Sequence, residues 1–236
     1  MKILSIVLPC YNESKNLNNL LNSLEKLKKN TDLEIIVVEN GSTDDSLVKI
    51  KNHTIYKSNS IKLVEIKKNL GYGHGIMSGI SMAKGDYLGW CHADLQNNLD
   101  DVYNLFKENF NELEKTKSIL KGKRLNRNLI DRIFTSGMSI LSSIIFGHSL
   151  NDINAQPKIF PKKFLSLLDE TPIDFSLDLY TLLIAKINNY KIIEHPVVVY
   201  KRVAGEAKGG GSFFLKIKLT LRTLNYIFNL KKNKKF

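Results

Sequence analysis

From Lys67 to Gln96 the chain reads KKNLGYGHGIMSGISMAKGDYLGWCHADLQ, and both ends of that stretch carry residues suited to holding phosphate. It opens with Gly71, Gly73, Gly75 and Gly79, and a residue without Cβ lets the backbone approach a ligand closely. It closes on an apolar run, Tyr87 to Cys91, that delivers His92, Ala93, Asp94 and Gln96 at its carboxyl end. A carboxylate and an amide in that position can hold a divalent cation, and the cation a diphosphate. Two earlier segments carry similar residues, Pro9-Cys10-Tyr11-Asn12-Glu13 and Glu39-Asn40-Gly41-Ser42-Thr43-Asp44. Taken singly, each is only a turn or a helix cap. Gathered beside a glycine-rich loop, they describe a site.

Such a site needs a sheet to gather it. Ile3 to Leu8 and Leu33 to Val38 are short apolar runs of the kind that buried parallel strands show, and Ile61 to Ile66 predicts a third. Leu17, Leu20, Leu21, Leu24 and Leu27 repeat at helical spacing after the helix-start residues Asn12 to Ser14. Ser42 or Asp44 is expected to cap the next helix. The stretch from Lys67 reads as a turn, a small-residue helix, a reversal at Lys84-Gly85-Asp86 and a buried strand. Alternating strands and helices mean βαβ units and a mostly parallel twisted sheet. In such sheets ligands sit beyond the carboxyl ends of the strands.

Past residue 98, Val102, Leu105 and Phe106, then Ile130, Ile133 and Phe134, predict helices with buried faces, separated by a basic loop at Lys121-Gly122-Lys123-Arg124. Met138 to Gly147 predicts a packed helix, and Asp152 to Lys163 a loop with a short strand. Leu177 to Asn188 predicts an amphipathic helix carrying Asp178. Lys191 to Tyr200 reads as a strand that Pro196 confines to an edge or a bulge.

At 236 residues the chain can bury a sizeable core, as one domain or as two halves sharing a sheet. A composition of 43% hydrophobic and 25% charged residues is ordinary for a globular protein. The formal charge of +12 is not, and it calls for an anionic partner: nucleic acid, an acidic membrane face or phosphorylated substrates. No unbroken run of about 18 apolar residues predicts a bilayer-spanning helix. The strand beginning at Ile3 leaves no room for a signal peptide. Cys10 and Cys91 form neither a disulfide framework nor a CxxC pair and are expected to be reduced, buried thiols of a cytosolic protein.

IVLPCYNES, VVENGSTDDS, NLGYGHG and GDYLGWCHADLQ, in this order and spacing, resemble the family-2 glycosyltransferases with the GT-A fold. Within that family the likeness is greatest to the polyprenol-phosphate (dolichol-phosphate type) sugar transferases. Those carry a DADLQ signature and, near the C-terminus, an arginine followed by a GESK-like loop, which here reads Tyr200-Lys201-Arg202-Val203-Ala204-Gly205-Glu206-Ala207-Lys208. The resemblance implies a Rossmann-like α/β sheet flanked by helices. Residues 1–98 would form its nucleotide-sugar-binding half, 99–211 the acceptor-binding half of the same domain, and 212–236 a basic amphipathic helix and tail.

It also implies roles. Pro9, Tyr11, Asn12 and Glu13 would line the nucleotide pocket. Glu39 stands where the family usually has an aspartate facing the base, Asn40 replaces a second aspartate, and Gly41 and Ser42 continue that turn. Asn69, Gly71, Gly73 and Gly75 would admit the nucleotide-sugar. Asp94 matches the second acid of the DxD motif, which binds Mg²⁺ or Mn²⁺ on the diphosphate, with Gln96 assisting. His92 replaces the first acid of that motif, with Ala93 between. Its imidazole can hydrogen-bond the ribose or add a nitrogen ligand that favours Mn²⁺. Asn97-Asn98 departs again, where relatives often show prolines. Asp178 matches an acceptor-side acid. It would be the general base for a sugar hydroxyl, or an orienting group if the acceptor is an already anionic phosphate. Arg202 and Lys208 suit a phosphate grip.

After Glu206 the chain has no acid but keeps eight lysines and arginines, from Lys208 to Lys235. Phe214, Ile217, Leu221, Leu224 and Phe228 share one helical face, the pattern of a helix lying in a membrane surface or of one packed on the domain. The expected activity is an inverting, metal-dependent transfer of a sugar from a UDP- or GDP-linked donor. The expected acceptor is a polyprenyl phosphate or lipid-linked glycan, at the cytoplasmic face of an anionic membrane. Transfer to a sugar hydroxyl is the alternative, and a sugar nucleotidyltransferase a more distant one. A non-enzymatic nucleic-acid-binding α/β domain is the distant alternative that the charge leaves open, but a nucleic-acid partner is not expected, because no RNP-like aromatic strand or helix-turn-helix pattern accompanies the charge.

Overall fold

The computed structural model describes residues 3–126, 129–200 and 213–233. The amino-terminal part alternates as β1 (Leu4–Cys10), α1 (Ser14–Lys29), β2 (Glu34–Asn40), α2 (Ser46–Asn52), α3 (Thr54–Lys57), β3 (Lys62–Ile66), α4 (Tyr72–Ser81) and β4 (Tyr87–Trp90). It continues through α5 (Leu99–Lys115), β5 (Ser118–Arg124), α6 (Leu129–Phe146), β6 (Lys158–Pro161), a 3₁₀ turn over Lys162–Leu167, α7 (Ser176–Ile187), β7 (Lys191–Val197) and α8 (Phe213–Asn233). One seven-stranded sheet runs in the order β3-β2-β1-β4-β6-β5-β7. Every pairing in it is parallel except those of β6, which runs against both β4 and β5.

The central strands β1, β2 and β4 are apolar on both faces because both are covered. Ile6, Leu8, Ile35 and Val37 pack with α1 and α5, while the alternate residues Val7, Ile36 and Val38 pack with α4 and the α7 side. The chain order reverses between β1 and β4, so the crevice for a ligand opens beyond Cys10, Asn40 and Trp90. No disulfide joins the buried Cys10 and Cys91.

The structure departs from the sequence expectations at five places. The helix after Asp44 begins only at Ser46, whose N–H donates to Asp44 Oδ1 at 3.0 Å. The basic stretch Lys121–Arg124 is not a loop but the end of β5. There Lys121 is buried, and its ammonium is satisfied by Asn151 O at 2.8 Å and Glu194 at 3.1 Å. Ile130 and Ile133 face outward, because α6 turns its serines Ser139 and Ser142 inward instead. That helix also has the length and mean hydropathy, 1.4, of a membrane span, with 17% of it buried. Its small polar residues break the apolar run without lowering the average enough to hide it. Finally, α7 is not amphipathic, since Ser176 to Ala185 are all buried.

Candidate active site

Polar side chains stitch the strand-end loops together. The chain leaving β1 turns at Asn12 (φ 51°), whose backbone N–H donates to Ser42 Oγ at 3.0 Å while its Oδ1 accepts from Thr43 N at 2.7 Å. Glu13 N donates to Ser46 Oγ at 3.1 Å. Glu39 is buried, and its carboxylate accepts from Ser42 N at 2.6 Å, which closes the turn after β2. A side chain on Gly41 (φ +72°) would collide with the backbone at Asn69, so the second and third loops touch. Asn69 Oδ1 in turn accepts from Gly71 N at 2.8 Å, and Asn40 Nδ2 donates to Gly71 O at 3.1 Å.

The glycines serve chain-on-chain packing. A Cβ on Gly71 or Gly73 would run into the backbone carbonyls of Ile173 and Pro172, and one on Gly75 into the Asn40 side chain. The segment 172–174 thus lies on the start of α4, with Ile173 O accepting from His74 N at 3.0 Å. The positions a Cβ would take at Gly71 and Gly73 are thus occupied by residues 172–174. Gly73→Ala should therefore displace 172–174 and destabilise the fold by ~1–3 kcal/mol, the usual penalty of overpacking, read as a lower melting temperature together with weaker UDP or GDP binding.

Beyond β4, Asp94 is buried and its Oδ1 accepts from Gln96 N at 3.1 Å, a turn that puts Leu95 at φ 61°. Gln96 O accepts from Tyr200 N at 2.9 Å, which ties the end of the chain after β7 to the Asp94 turn. Arg202 and Lys208 themselves lie outside the described residues. His92 sits under Tyr72 with ring centroids 5.6 Å apart. Burial pushes its imidazole below the ordinary range, Lys158 and Arg124 push the same way, and Asp94 and Asp178 oppose them. The ring is therefore a neutral hydrogen-bonding or nitrogen-donor group near pH 7.

Asp178 occupies a different kind of place. Its Oδ1 accepts from Lys158 Nζ at 2.7 Å and from Trp90 Nε1 at 3.1 Å, with both members of the ion pair about 1% exposed. Lys158 also donates to the carbonyls of Ile153 (2.8 Å) and Ala155 (3.0 Å), which uses all three ammonium protons.

Several residues of the site were not singled out from the sequence. Tyr72 stacks on Phe175 at 4.6 Å and receives the Gln156 Nε2 hydrogen bond on its hydroxyl. Asp152 is held by Arg124, a residue the sequence places in a basic loop, at 3.0 Å. Lys158 opens the apolar run KIFP, but with Lys162 and Lys163 close behind it reads in sequence as one more loop cation. Among the described residues, Asn40 Oδ1, His74 Nδ1 and Gln156 Oε1 are buried without a hydrogen-bond partner. Their residues all belong to or touch the Gly71–Gly75 segment, and buried polar atoms are ordinarily satisfied.

Strand-end loops laced together at the point where the sheet order reverses, with a buried acid beyond β4, define an α/β protein of the GT-A type. More particularly, the chain belongs to Glycosyl transferase family 2, whose family model matches residues 5–138. It is 28% identical over 163 residues to the dodecaprenyl-phosphate galacturonate synthase of Rhizobium johnstonii, covering 66% of this chain and 47% of that protein. It is 29% identical over 182 residues to the poly(ribitol-phosphate) beta-N-acetylglucosaminyltransferase TarP of Staphylococcus aureus, covering 74% of this chain and 53% of that protein. The chain thus spans about half the length of these relatives. Among solved structures it superposes on glucosyl-3-phosphoglycerate synthase from Mycobacterium tuberculosis in complex with Mn²⁺, UDP and glucosyl-3-phosphoglycerate. The TM-score is 0.70 at 16% identity, over 96% of this chain and 80% of that one. The mannosyltransferase PcManGT from Pyrobaculum calidifontis, in complex with GDP-Man and Mn²⁺, gives a TM-score of 0.65 at 19% identity, over 96% of this chain and 64% of that one.

Proposed function

We propose that this chain carries out inverting sugar transfer from a UDP- or GDP-linked donor to a polyprenyl phosphate or lipid-linked acceptor at the cytoplasmic membrane face. The observation that carries the donor half is the lacing of Asn12, Glu39, Asn40 and Asn69 around a glycine-rich helix start with orphaned polar atoms, beside the buried Asp94. The two structural neighbours whose descriptions name UDP and GDP-Man support it.

Among the described residues, no group of three or more His, Cys, Asp or Glu could hold a metal. One carboxylate and one neutral imidazole two residues away nevertheless fit a cation that takes its other ligands from phosphate oxygens and water. Asp94 would hold Mg²⁺ or Mn²⁺, with His92 or Gln96 beside it, and the ion would supply charge neutralisation for the departing diphosphate. In a single displacement, the acceptor oxygen bonds to the anomeric carbon as the bond to the nucleoside diphosphate breaks. A phosphate oxygen is already anionic and needs no general base. That agrees with an Asp178 engaged by Lys158 and Trp90.

The acceptor class is supported by the relatives whose names specify dodecaprenyl and undecaprenyl phosphate. The membrane face rests on α6 and α8. Leu129, Ile133, Ile140 and Ile144 stand four, seven and four residues apart, a single helical stripe, and all are exposed, Ile133 by 62% and Ile144 by 73%. Leu221 and Phe228 continue exposed apolar surface on α8, which Lys231 ties to Ile145 O at 2.8 Å. With the surplus of cations, this is the make-up of an in-plane anchor on an anionic leaflet. Ile133→Glu with Ile144→Glu should weaken co-sedimentation with phosphatidylglycerol vesicles by more than about tenfold, which needs only ~1.4 kcal/mol, while the melting temperature stays unchanged.

A second reading, transfer to a sugar or polyol hydroxyl, draws on the likeness to TarP. The deciding experiment is a screen of UDP- and GDP-sugars with Mn²⁺ or Mg²⁺, scored first by thermal stabilisation, since a bound donor raises the melting temperature by mass action. Turnover is then compared on polyprenyl phosphate and on hydroxyl acceptors. If no nucleotide shifts the melting temperature at millimolar concentration with either metal, the proposal falls.

A further inference from the structure

We propose that Asp174, gripped by Arg222 of α8, is a positioning residue for the donor pocket, and that α8 sets nucleotide affinity through this contact. The inference rests on the donor site and membrane-face reading above and adds a regulatory link between them.

Arg222 Nε lies 2.7 Å from Asp174 Oδ2. The other carboxylate oxygen of Asp174 accepts from Ser176 N at 2.8 Å, and its carbonyl accepts from Leu177 N at 3.2 Å. Asp174 therefore both braces the first turn of α7 from just outside it and receives the Arg222 contact from α8. One residue earlier, Ile173 O holds His74 N at 3.0 Å. There is no slack between this segment and the glycine turn, because even a methyl group on Gly71 or Gly73 would strike the carbonyls of 172–174. One residue later, Phe175 stacks on Tyr72 at 4.6 Å, and Tyr72 lies 5.6 Å from His92. From Arg222 to the turn that follows β4, each group touches the next.

The placement of Arg222 on its helix gives the link a direction. The exposed apolar residues Ile217, Leu221 and Phe228 flank it, while Ile227 and Leu230 face the core. Lipid engaging the outer stripe would act on the turn of helix that carries Arg222. The Arg222 side chain is 61% exposed, and ion pairs of that kind contribute little to folding stability. The contact can therefore be broken without unfolding the protein, and a displaced 172–175 segment would shift Tyr72 and the glycine turn together.

The test measures the Kd of UDP and of GDP, each with Mn²⁺, by calorimetry, with and without phosphatidylglycerol vesicles, on the full chain. Arg222→Ala and Asp174→Asn are expected to bind nucleotide about two- to fivefold more weakly, the most that an exposed ion pair can transmit. Asparagine keeps the acceptor for Ser176 N, so α7 is preserved. Arg222→Lys should restore part of the affinity. Lys231→Ala, which loosens α8 at its far end only, should leave it unchanged. Vesicles should tighten nucleotide binding by the unmodified protein and have no such effect on Arg222→Ala, although that variant still sediments with them. Parent-like affinity in both Arg222→Ala and Asp174→Asn overturns this inference alone. Failure of the unmodified protein to bind either nucleotide overturns the donor reading and this inference with it. Vesicle binding that leaves the parent affinity unchanged overturns the membrane link.

Discussion

Asp94→Asn is expected to abolish metal-dependent turnover while leaving the melting curve where it was. Asp94 is buried, and the hydrogen bond that its Oδ1 accepts from Gln96 N can be met equally well by an asparagine oxygen. The turn at Leu95 should survive the substitution. What disappears is the negative charge, and with it the strongest oxygen ligand available to a divalent ion on that strand end. A metal ion contributes several kcal/mol to a departing diphosphate, and each ~1.4 kcal/mol is a factor of ten in rate. The loss should therefore exceed about 10²-fold. Mn²⁺ titration in the presence of UDP checks the cause, since the variant should no longer show metal-dependent stabilisation by nucleotide. A folded Asp94→Asn protein with parent-like turnover would remove the metal assignment.

Asp178→Asn is expected to act chiefly on stability. Asp178 faces Lys158 at 2.7 Å in a setting where neither is exposed, and burial already pulls the Lys158 ammonium below its ordinary range while Asp178 holds it up. Removing one partner of such a pair strands the other charge and typically costs ~3–5 kcal/mol, a large share of a domain's whole stability. Thermal or urea unfolding should show this directly. Lys158→Met combined with Asp178→Leu should recover part of the loss. The recovery stays partial because Ile153 O and Ala155 O then lose their donor. A general base predicts the opposite pattern, parent-like stability with turnover down by ~10²–10⁴-fold. That result would promote the hydroxyl-acceptor reading.

The amino-terminal half was legible because β1, β2 and β4 are covered on both faces. Strands of that kind write themselves as unbroken apolar runs, so Ile3 to Leu8, Leu33 to Val38 and Tyr87 to Cys91 fell within two residues of β1, β2 and β4. The polar residues at their ends were legible for the same reason, as the first groups beyond each run. The carboxyl-terminal half hid itself in two ways. Lys121 and Lys158 sit in buried strands with their ammonium groups satisfied by backbone carbonyls and acids, yet in sequence they look like loop cations. The apolar stripe of α6 faces outward, yet a stripe of isoleucines at helical spacing reads as core. Tyr72, Gln156 and Phe175 come from three distant segments and meet only through tertiary packing. No local pattern could have paired them.

The two-sidedness of α8 changes how the protein can be engineered. The helix looks like a detachable tail, and trimming residues 213–236 is the obvious route to a form that stays in solution. Ile227 and Leu230 on its inner side, however, complete the same apolar cluster as Leu177 and Tyr180 of α7. Burial of each such side chain is worth ~1.5–3 kcal/mol, so excision would open the catalytic body and expose a new sticky surface. A soluble form should be sought by recoding the outer residues Ile217, Leu221 and Phe228 to polar ones, with the inner residues and Arg222 left untouched.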